Sequence, residues 1–186
     1  MPGNDALQPW TILASDYIHR QPWLTVRKDR VQLPTGVIIE DYFVLEYPSW
    51  VNVLAITPDD HFVMIRQYRH GSRTINHELP AGVVDPTDPS PLAAAQRELL
   101  EETGYGGGVW SPLMTISANA STHANFTHCF LARGVVSQRP ARPESTEDLR
   151  VHLLTRSEAT DLVLGGGVLQ ALNAAPLLKF LLMATS

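Results

Sequence analysis

Three glutamates, Glu98, Glu101 and Glu102, lie within the run Arg97-Glu98-Leu99-Leu100-Glu101-Glu102-Thr103-Gly104-Tyr105. On a helix, at about 100° per residue, they fall within one sector of about 100°. Like charges at this spacing repel by roughly 0.2–0.5 kcal/mol per pair, which a wet helix face tolerates. Clustered carboxylates also form a hard-oxygen site for Mg²⁺ or Mn²⁺. Such ions take one or two protein carboxylates and complete their shell with water and phosphate oxygens. Glu-x-x-Glu-Glu alone is weak evidence, since such a run more often marks a solvated acidic helix face than a metal site. Arg97 stands four residues before Glu101, within pairing reach.

The flanking residues say how these carboxylates are held. Ser90 is a good N-cap and Pro91 suits the first helical position. Ala93, Ala94, Ala95 and Gln96 favour helix, and Gly104 is placed to end it. Leu92, Ala95, Leu99 and Thr103 occupy the adjoining sector and can face a core. Upstream, Glu78-Leu79-Pro80-Ala81-Gly82 and the residues to Pro91 read as a turn-rich loop.

Residues 10–48 read as a small antiparallel meander. Residues 10–20 show no clean period. Residues 23–33 read as two short strands with a turn at Lys28-Asp29, and Pro34-Thr35-Gly36 is a tight turn before strand-like 37–39 and 43–45. Residues 50–56 and 62–68 read as a hairpin across Pro58-Asp59-Asp60. Gly106-Gly107-Gly108 reads as a linker. Strands are expected at 110–117, 127–132 and 150–154, with loops at 118–125 and 139–146. Helices are expected at 157–164 and 168–183, the last kinked or divided at Pro176. Strands and helices without regular β-α-β alternation argue for an α+β fold.

The chain has 186 residues, 44% apolar and 18% charged, with a formal charge of −5. That is the composition of a globular protein. It gives no electrostatic reason to bind nucleic acid or an anionic membrane. A polyanionic substrate would depend on a metal and on local arginines. One cysteine, Cys129, rules out an internal disulfide and suits a reducing cytoplasm. The first residues are polar, with no apolar core of a signal peptide, and no apolar run is long enough to span a bilayer. His123 and His128 lack a metal-ligand spacing. A serine elbow and paired cysteines are absent.

Gly82 together with Arg97–Tyr105 closely resembles the Nudix box of the Nudix hydrolases, Gly-x5-Glu-x7-Arg-Glu-U-x-Glu-Glu-x-Gly-U, where U is apolar. Two departures are visible. The interval from Gly82 to Arg97 is one residue longer than the pattern. The glutamate between them is missing, Pro89 standing in its place counted back from Arg97 and Asp88 counted forward from Gly82. Arg66-Gln67-Tyr68-Arg69-His70-Gly71, Glu78-Leu79-Pro80-Ala81-Gly82, Glu147-Asp148-Leu149-Arg150-Val151-His152 and the N-terminal meander from Trp10 are similar to the ADP-ribose and nucleoside-diphosphate-sugar pyrophosphatase branch.

That resemblance implies a Nudix α/β/α sandwich with a mixed sheet over residues 49–186. It implies that residues 1–48 form a meander exchanged between the subunits of a homodimer. It implies Mg²⁺, or Mn²⁺, held by Glu98, Glu102 and the backbone carbonyl of Ala81. Glu101 would ligate or orient, or pair with Arg97, which would hold the carboxylates in position. Glu147 would be the catalytic loop acid, with Glu144 as the alternative. Arg69 would bind substrate phosphate, with Arg66 a second candidate. Trp10 would stack the base from the partner subunit, Trp23 and Arg27 would be weaker contributors, and Glu78 would bind ribose or cap its loop. The implied substrate is a nucleotide sugar. ADP-ribose hydrolases of the branch carry a proline where Ala120 stands here, sixteen residues past Gly104, so ADP-ribose and other nucleoside-diphosphate sugars stay open. Two other readings stay open as well: hydrolysis of a nucleoside triphosphate, and a non-catalytic nucleotide-binding module.

Overall fold

Three long antiparallel strands, β1 (Thr11–Gln21), β2 (Leu24–Gln32) and β3 (Ile38–Glu46), build the first unit of the computed structural model, which describes residues 6–183. The meander expected from the sequence is there, with fewer interruptions. Lys28-Asp29 is not a turn. Lys28 pairs with Asp16 in the ladder and Asp29 with Ser15, in the middle of β2. Asp29 is buried, and it tolerates burial because the Ser15 hydroxyl (2.6 Å) and the Arg27 guanidinium donate to it. Cross-strand charge pairing overrides the turn propensity of the dipeptide. Residues 119–125 join this unit: the Leu45 N–H donates to the Thr122 carbonyl (2.7 Å), the Ala124 N–H to the Leu45 carbonyl (3.0 Å), and Tyr47 stacks on His123.

The second unit comprises residues 48–118 and 126 onward. In chain order it contains β4 (Trp50–Ile56), β5 (Phe62–Arg69), β6 (Thr74–Glu78), β7 (Ala81–Val83), α1 (Pro91–Thr103), β8 (Tyr105–Gly106), β9 (Val109–Ile116), β10 (Thr127–Arg133), β11 (Val136–Ser137), β12 (Leu149–Leu154), α2 (Arg156–Leu164) and α3 (Ala171–Met183). Seven strands form one mixed sheet in the order β12-β5-β4-β10-β9, with β6 paired to β5 and β7 to β4. Only β10 and β4 run parallel. The short strand β7 takes up part of the loop expected from Glu78 onward, and β6, separated from it at Leu79-Pro80, precedes that loop and was not expected. Gly106 pairs with Val136 instead of lying in a free linker. The last helix starts at Ala171 and runs through Pro176.

Alternation along the strands supplies two cores. Val51, Val53, Ala55 and Val63 pack with Ala94, Ala95 and Leu99 of α1 on one face of the sheet. Leu54, Ile56, Phe62 and Met64 pack with Ala159 and Val163 of α2 and with Leu177 and Phe180 of α3 on the other. Cys129 is buried in the second core. Among the described residues no helix is long and apolar enough to cross a membrane.

Candidate active site

Helix α1 begins and ends as its sequence dictates. The Ser90 side chain accepts the Ala93 N–H (3.2 Å), Pro91 opens the first turn, and Gly104 closes the helix at φ 76°, its N–H donating to the Leu100 carbonyl. The helix C-terminus is finished by a second segment. The Gly104 carbonyl accepts from the Gln138 and Arg139 N–H groups (2.9 and 3.3 Å), and the Glu101 carbonyl accepts from Arg142 (2.7 Å). These bonds satisfy carbonyls that a helix end leaves orphaned. They also moor the loop leading to Glu147 onto the helix carrying the glutamates. A Cβ on Gly104 would stand 2.0 Å from the Arg139 carbonyl oxygen, so close approach as well as positive φ demands glycine.

Because Ala94, Ala95 and Leu99 face the sheet, Glu98 and Glu102 are turned towards β7 rather than to water. Glu102 is 1% exposed and Glu98 9%. The Ala81 N–H donates to Glu102 Oε2 (2.9 Å), and a Cβ on Gly82 would lie 2.1 Å from the Glu98 carboxyl. Burial pushes Glu98 up to about 7 against the pull of Arg97. Burial pushes Glu102 well above the usual carboxylate range against the Ala81 N–H, and the nearby Glu147 raises both. Two desolvated carboxylates that resist ionisation without a counter-charge are a donor set that fits a divalent cation. Among the described residues no three His, Cys, Asp or Glu side chains converge as a closed cage. Water and substrate oxygens would complete the shell, as Mg²⁺ prefers.

Arg97 organises this edge of the site. Its Nη1 donates to Glu98 Oε1 (2.8 Å) and Glu101 Oε2 (3.1 Å), and its Nη2 to the Val83 carbonyl (3.0 Å). Its Nε and Nη2 fork onto Asp88 at 3.1 and 2.9 Å. The Asp88 side chain is 8% exposed and is set by a tight turn in which the Asp85 N–H donates to it (2.9 Å) and its own N–H donates to the Asp85 carbonyl (2.9 Å). The site residues read from the sequence do not include Asp88. The signal was the forward count from Gly82, which places Asp88 where the box glutamate is missing. The extra residue enters the chain after it. Asp88→Ala would leave two guanidinium donors unpaired and free Arg97 to collapse onto Glu98 and Glu101. Supporting groups of this kind typically contribute about 10–100-fold in metal affinity or activity. The expected result is a loss of that size in Mn²⁺ affinity, read from the free-ion signal in electron paramagnetic resonance. Unchanged affinity would make Asp88 a loop acid only.

On the same face of the sheet, Arg69 forks onto buried Glu78, Nε to Oε1 at 2.9 Å and Nη2 to Oε2 at 2.6 Å, and Gln67 Nε2 adds a third bond (3.1 Å). Glu78 thus aims Arg69, and the Arg69 Nη1 is left over. Glu78, Glu102 and Glu147 all raise the affinity of Arg69 for its proton. Glu147 belongs to this group. Its charge acts on Arg69, Glu98 and Glu102, and its turn is closed by the Glu144 N–H donating to Glu147 Oε2 (2.9 Å) and the Glu147 N–H to the Glu144 carbonyl (2.9 Å).

Of the other candidates, Arg66 is in this unit and Arg27, Trp10 and Trp23 are in the N-terminal one. Arg66 alternates with Gln67 on β5 and falls on the opposite sheet face, opposite His77 on β6 and Arg150 on β12. There burial, seconded by the Arg66 charge, holds His77 and His152 below the usual histidine range, with His77 Nδ1 and His152 Nε2 3.2 Å apart. Arg27 is tied to Asp29 and Glu46 within the N-terminal unit. Trp10 is half exposed there and meets Tyr42 edge-on at 5.8 Å. Trp23 is exposed at the β1–β2 turn.

The chain that builds this capped helix and its facing strand matches a known domain. The NUDIX domain description covers residues 47–169, and that of the nucleoside diphosphate sugar hydrolase N-terminal domain covers residues 10–45. The chain belongs to the Nudix family. One curated relative is the ADP-ribose pyrophosphatase of Mycobacterium tuberculosis (strain ATCC 25618 / H37Rv), 28% identical over 89% of this chain and 80% of that protein. Another is the CMP-5'-(N-acetyl-N-hydroxy-3-aminopropyl)phosphonate hydrolase of Streptomyces rubellomurinus (strain ATCC 31215), 28% identical over 92% of this chain and 82% of that protein. A crystal structure of an ADP compounds hydrolase superposes with a TM-score of 0.83 over 97% of this chain and 96% of that one, at 24% identity. The Nudix α+β fold, with an N-terminal antiparallel meander, is the one the sequence implied.

Proposed function

We propose that this Nudix hydrolase cleaves the pyrophosphate bond of ADP-ribose or another nucleoside-diphosphate sugar, giving a nucleoside monophosphate and a sugar phosphate. The observation that carries the reading is the buried Glu98–Glu102 pair beside Ala81 and Gly82, with Arg69 and Glu147 on the same side of the sheet. The names of the relatives supply the substrate class. Glu98, Glu102 and the Ala81 carbonyl hold a divalent cation, Mg²⁺ or Mn²⁺. Bound there, it supplies Lewis-acid charge for phosphate oxygens and acidity for a coordinated water.

The chain's own groups do the rest. Arg69, aimed by Glu78, offers Nη1 to a phosphate oxygen. Arg97, fixed by Asp88, keeps Glu98 and Glu101 in place. Glu147 accepts the proton of the attacking water, a step that typically contributes about 10²–10⁴-fold. As the resemblance implies, the N-terminal meander is exchanged between the subunits of a homodimer, and Trp10 offers a face to the base. The test is turnover of ADP-ribose and a panel of nucleoside-diphosphate sugars with metal and with EDTA. Metal-dependent release of a nucleoside monophosphate supports the reading. No turnover of any of them, with nucleotide still bound, overturns it in favour of a binding module.

Proton linkage gives a further expectation. The raised Glu98 is protonated in the metal-free protein below about 7. Its folded-state value exceeds the unfolded one, so its contribution to metal-free stability is present at low pH and is lost as pH rises through about 7. A bound cation needs the ionised form, so metal binding displaces the proton. Mn²⁺ affinity should therefore climb as pH rises from 5.5 through about 7. Calorimetry in buffers of different ionisation enthalpy should detect proton release on metal binding at pH 6. An affinity flat across this range would be the contrary result.

A further inference from the structure

The sheet has a gap at Leu79-Pro80, between β6 and β7, and what fills it comes from the far side. Asn173, in the first turn of α3, is 2% exposed, on a helix whose other buried residues are Pro176, Leu177 and Phe180. Its Oδ1 accepts the Leu79 N–H at 3.3 Å, and its Nδ2 donates to Gln170 Oε1 at 2.7 Å. Asn52 of β4, 1% exposed and paired in register with Ala81, donates its Nδ2 to the Leu172 carbonyl at 2.7 Å. The Pro80 carbonyl accepts the Val53 N–H at 2.9 Å. Residues 79–81 are thus tied to the start of α3 and to β4. Amides are expensive in an apolar core unless bonded, and Asn52 Oδ1 finds no hydrogen-bond partner here. Leucine at such positions would serve packing alone.

The two ends of the tied segment face the other way. Glu78 grips Arg69, and the Ala81 N–H holds Glu102. We infer that Asn173, seconded by Asn52, is a positioning residue for the catalytic centre: from the opposite face of the sheet, it sets the height of the Leu79–Ala81 segment and, through Ala81 and Glu78, the placement of Glu102 and Arg69. The inference rests on the metal-site reading proposed above. It makes the C-terminal helix part of the catalytic apparatus although none of its residues approaches the reacting groups.

The test compares Asn173→Leu, which keeps a γ-branched shape but removes the acceptor, with Leu177→Ala, a purely apolar loss from the same helix and core. Mn²⁺ dissociation constants, melting temperatures, kcat and KM are measured for both. Asn173→Leu should weaken Mn²⁺ binding about tenfold and lower kcat by a similar factor, within the range found for groups that orient metal ligands. Leu177→Ala should lower the melting temperature at least as far and leave the Mn²⁺ constant within about twofold of the parent. Asn173→Ser, which is smaller and cannot overpack the core, should weaken Mn²⁺ binding in the same direction if the leucine variant does not fold. Mn²⁺ constants that follow melting temperature across all the variants, or that do not move in the Asn173 variants, overturn the inference. A parent protein that binds no Mn²⁺ would instead overturn the metal-site reading, so the two failures are distinct.

Discussion

Glu102→Gln is expected to lower turnover of nucleoside-diphosphate sugars by about 10³-fold or more and to leave the protein folded. A metal that stabilises phosphate charge is worth several kcal/mol in the transition state, and each 1.36 kcal/mol is about tenfold in rate. The fold should not suffer. Burial disfavours the ionised form of Glu102 without a cation, and glutamine is an uncharged side chain of the same shape. Its amide oxygen can still accept the Ala81 N–H that now donates to Oε2 at 2.9 Å. The metal-free variant should therefore melt at or slightly above the parent temperature. The parent should gain from metal, by about 2.7 kcal/mol at one hundred times the dissociation constant, and the variant should not. Thermal unfolding with and without Mg²⁺, beside the turnover assay, reads both effects. A variant that keeps the metal-induced shift and its turnover would remove Glu102 from the metal site.

How far the site was legible depended on the range of each contact. Helix α1, its caps and its acidic sector were readable because they are set by residues within one or two turns: Ser90 to Ala93, Leu100 to Gly104, the 3.6-residue period. The strand pair β4 and β5 was readable from apolar runs around a turn. Lys28-Asp29 was misread because its fate depends on Asp16 and Ser15 across a strand, information that local propensity does not carry. β6 and β7 were missed for the same reason. Three and five residues are too few to show a period, and their pairing with β4 and β5 makes them strands.

The site residues divide in the same way. Glu98 and Glu102 share a short stretch, so spacing put them on one helix face, and the box resemblance singled them out as ligands. Arg66 and Arg69 could not be ranked from their types. Strand alternation separates them, sending Arg69 to the face of α1 and Arg66 to that of α2 and α3. Asp88 and Asn173 act through contacts nine and 94 positions away. Asp88 had a partial sequence signal in its count from Gly82. Asn173 had none, because a single asparagine in an apolar helix reads as a surface residue until the fold buries it.

Gly82→Ala separates the site from the scaffold most sharply, since it should cost little stability and most of the metal affinity. The residue has no left-handed backbone angle to defend. What forbids a side chain is Glu98, whose carboxyl carbon and one oxygen would each stand 2.1 Å from the new Cβ. The obstruction is the end of a side chain, so the protein can relieve it by swinging Glu98 aside rather than by moving backbone. That motion breaks the 2.8 Å bond from Arg97 Nη1 and carries a proposed ligand away from Ala81 and Glu102. We expect a melting temperature within a few degrees of the parent, Mn²⁺ binding weaker by about 10–100-fold, and turnover reduced by a similar factor. Shortening the acid should give some of this back. Glu98→Asp in the Gly82→Ala background removes one methylene from the crowded side chain, so the double variant should bind Mn²⁺ more tightly than Gly82→Ala alone, whereas Glu98→Asp by itself should bind less tightly than the parent. A change of sign between the two backgrounds is the signature of direct contact between positions 82 and 98. If Gly82→Ala binds Mn²⁺ as the parent does, Glu98 has room to spare and is not a metal ligand.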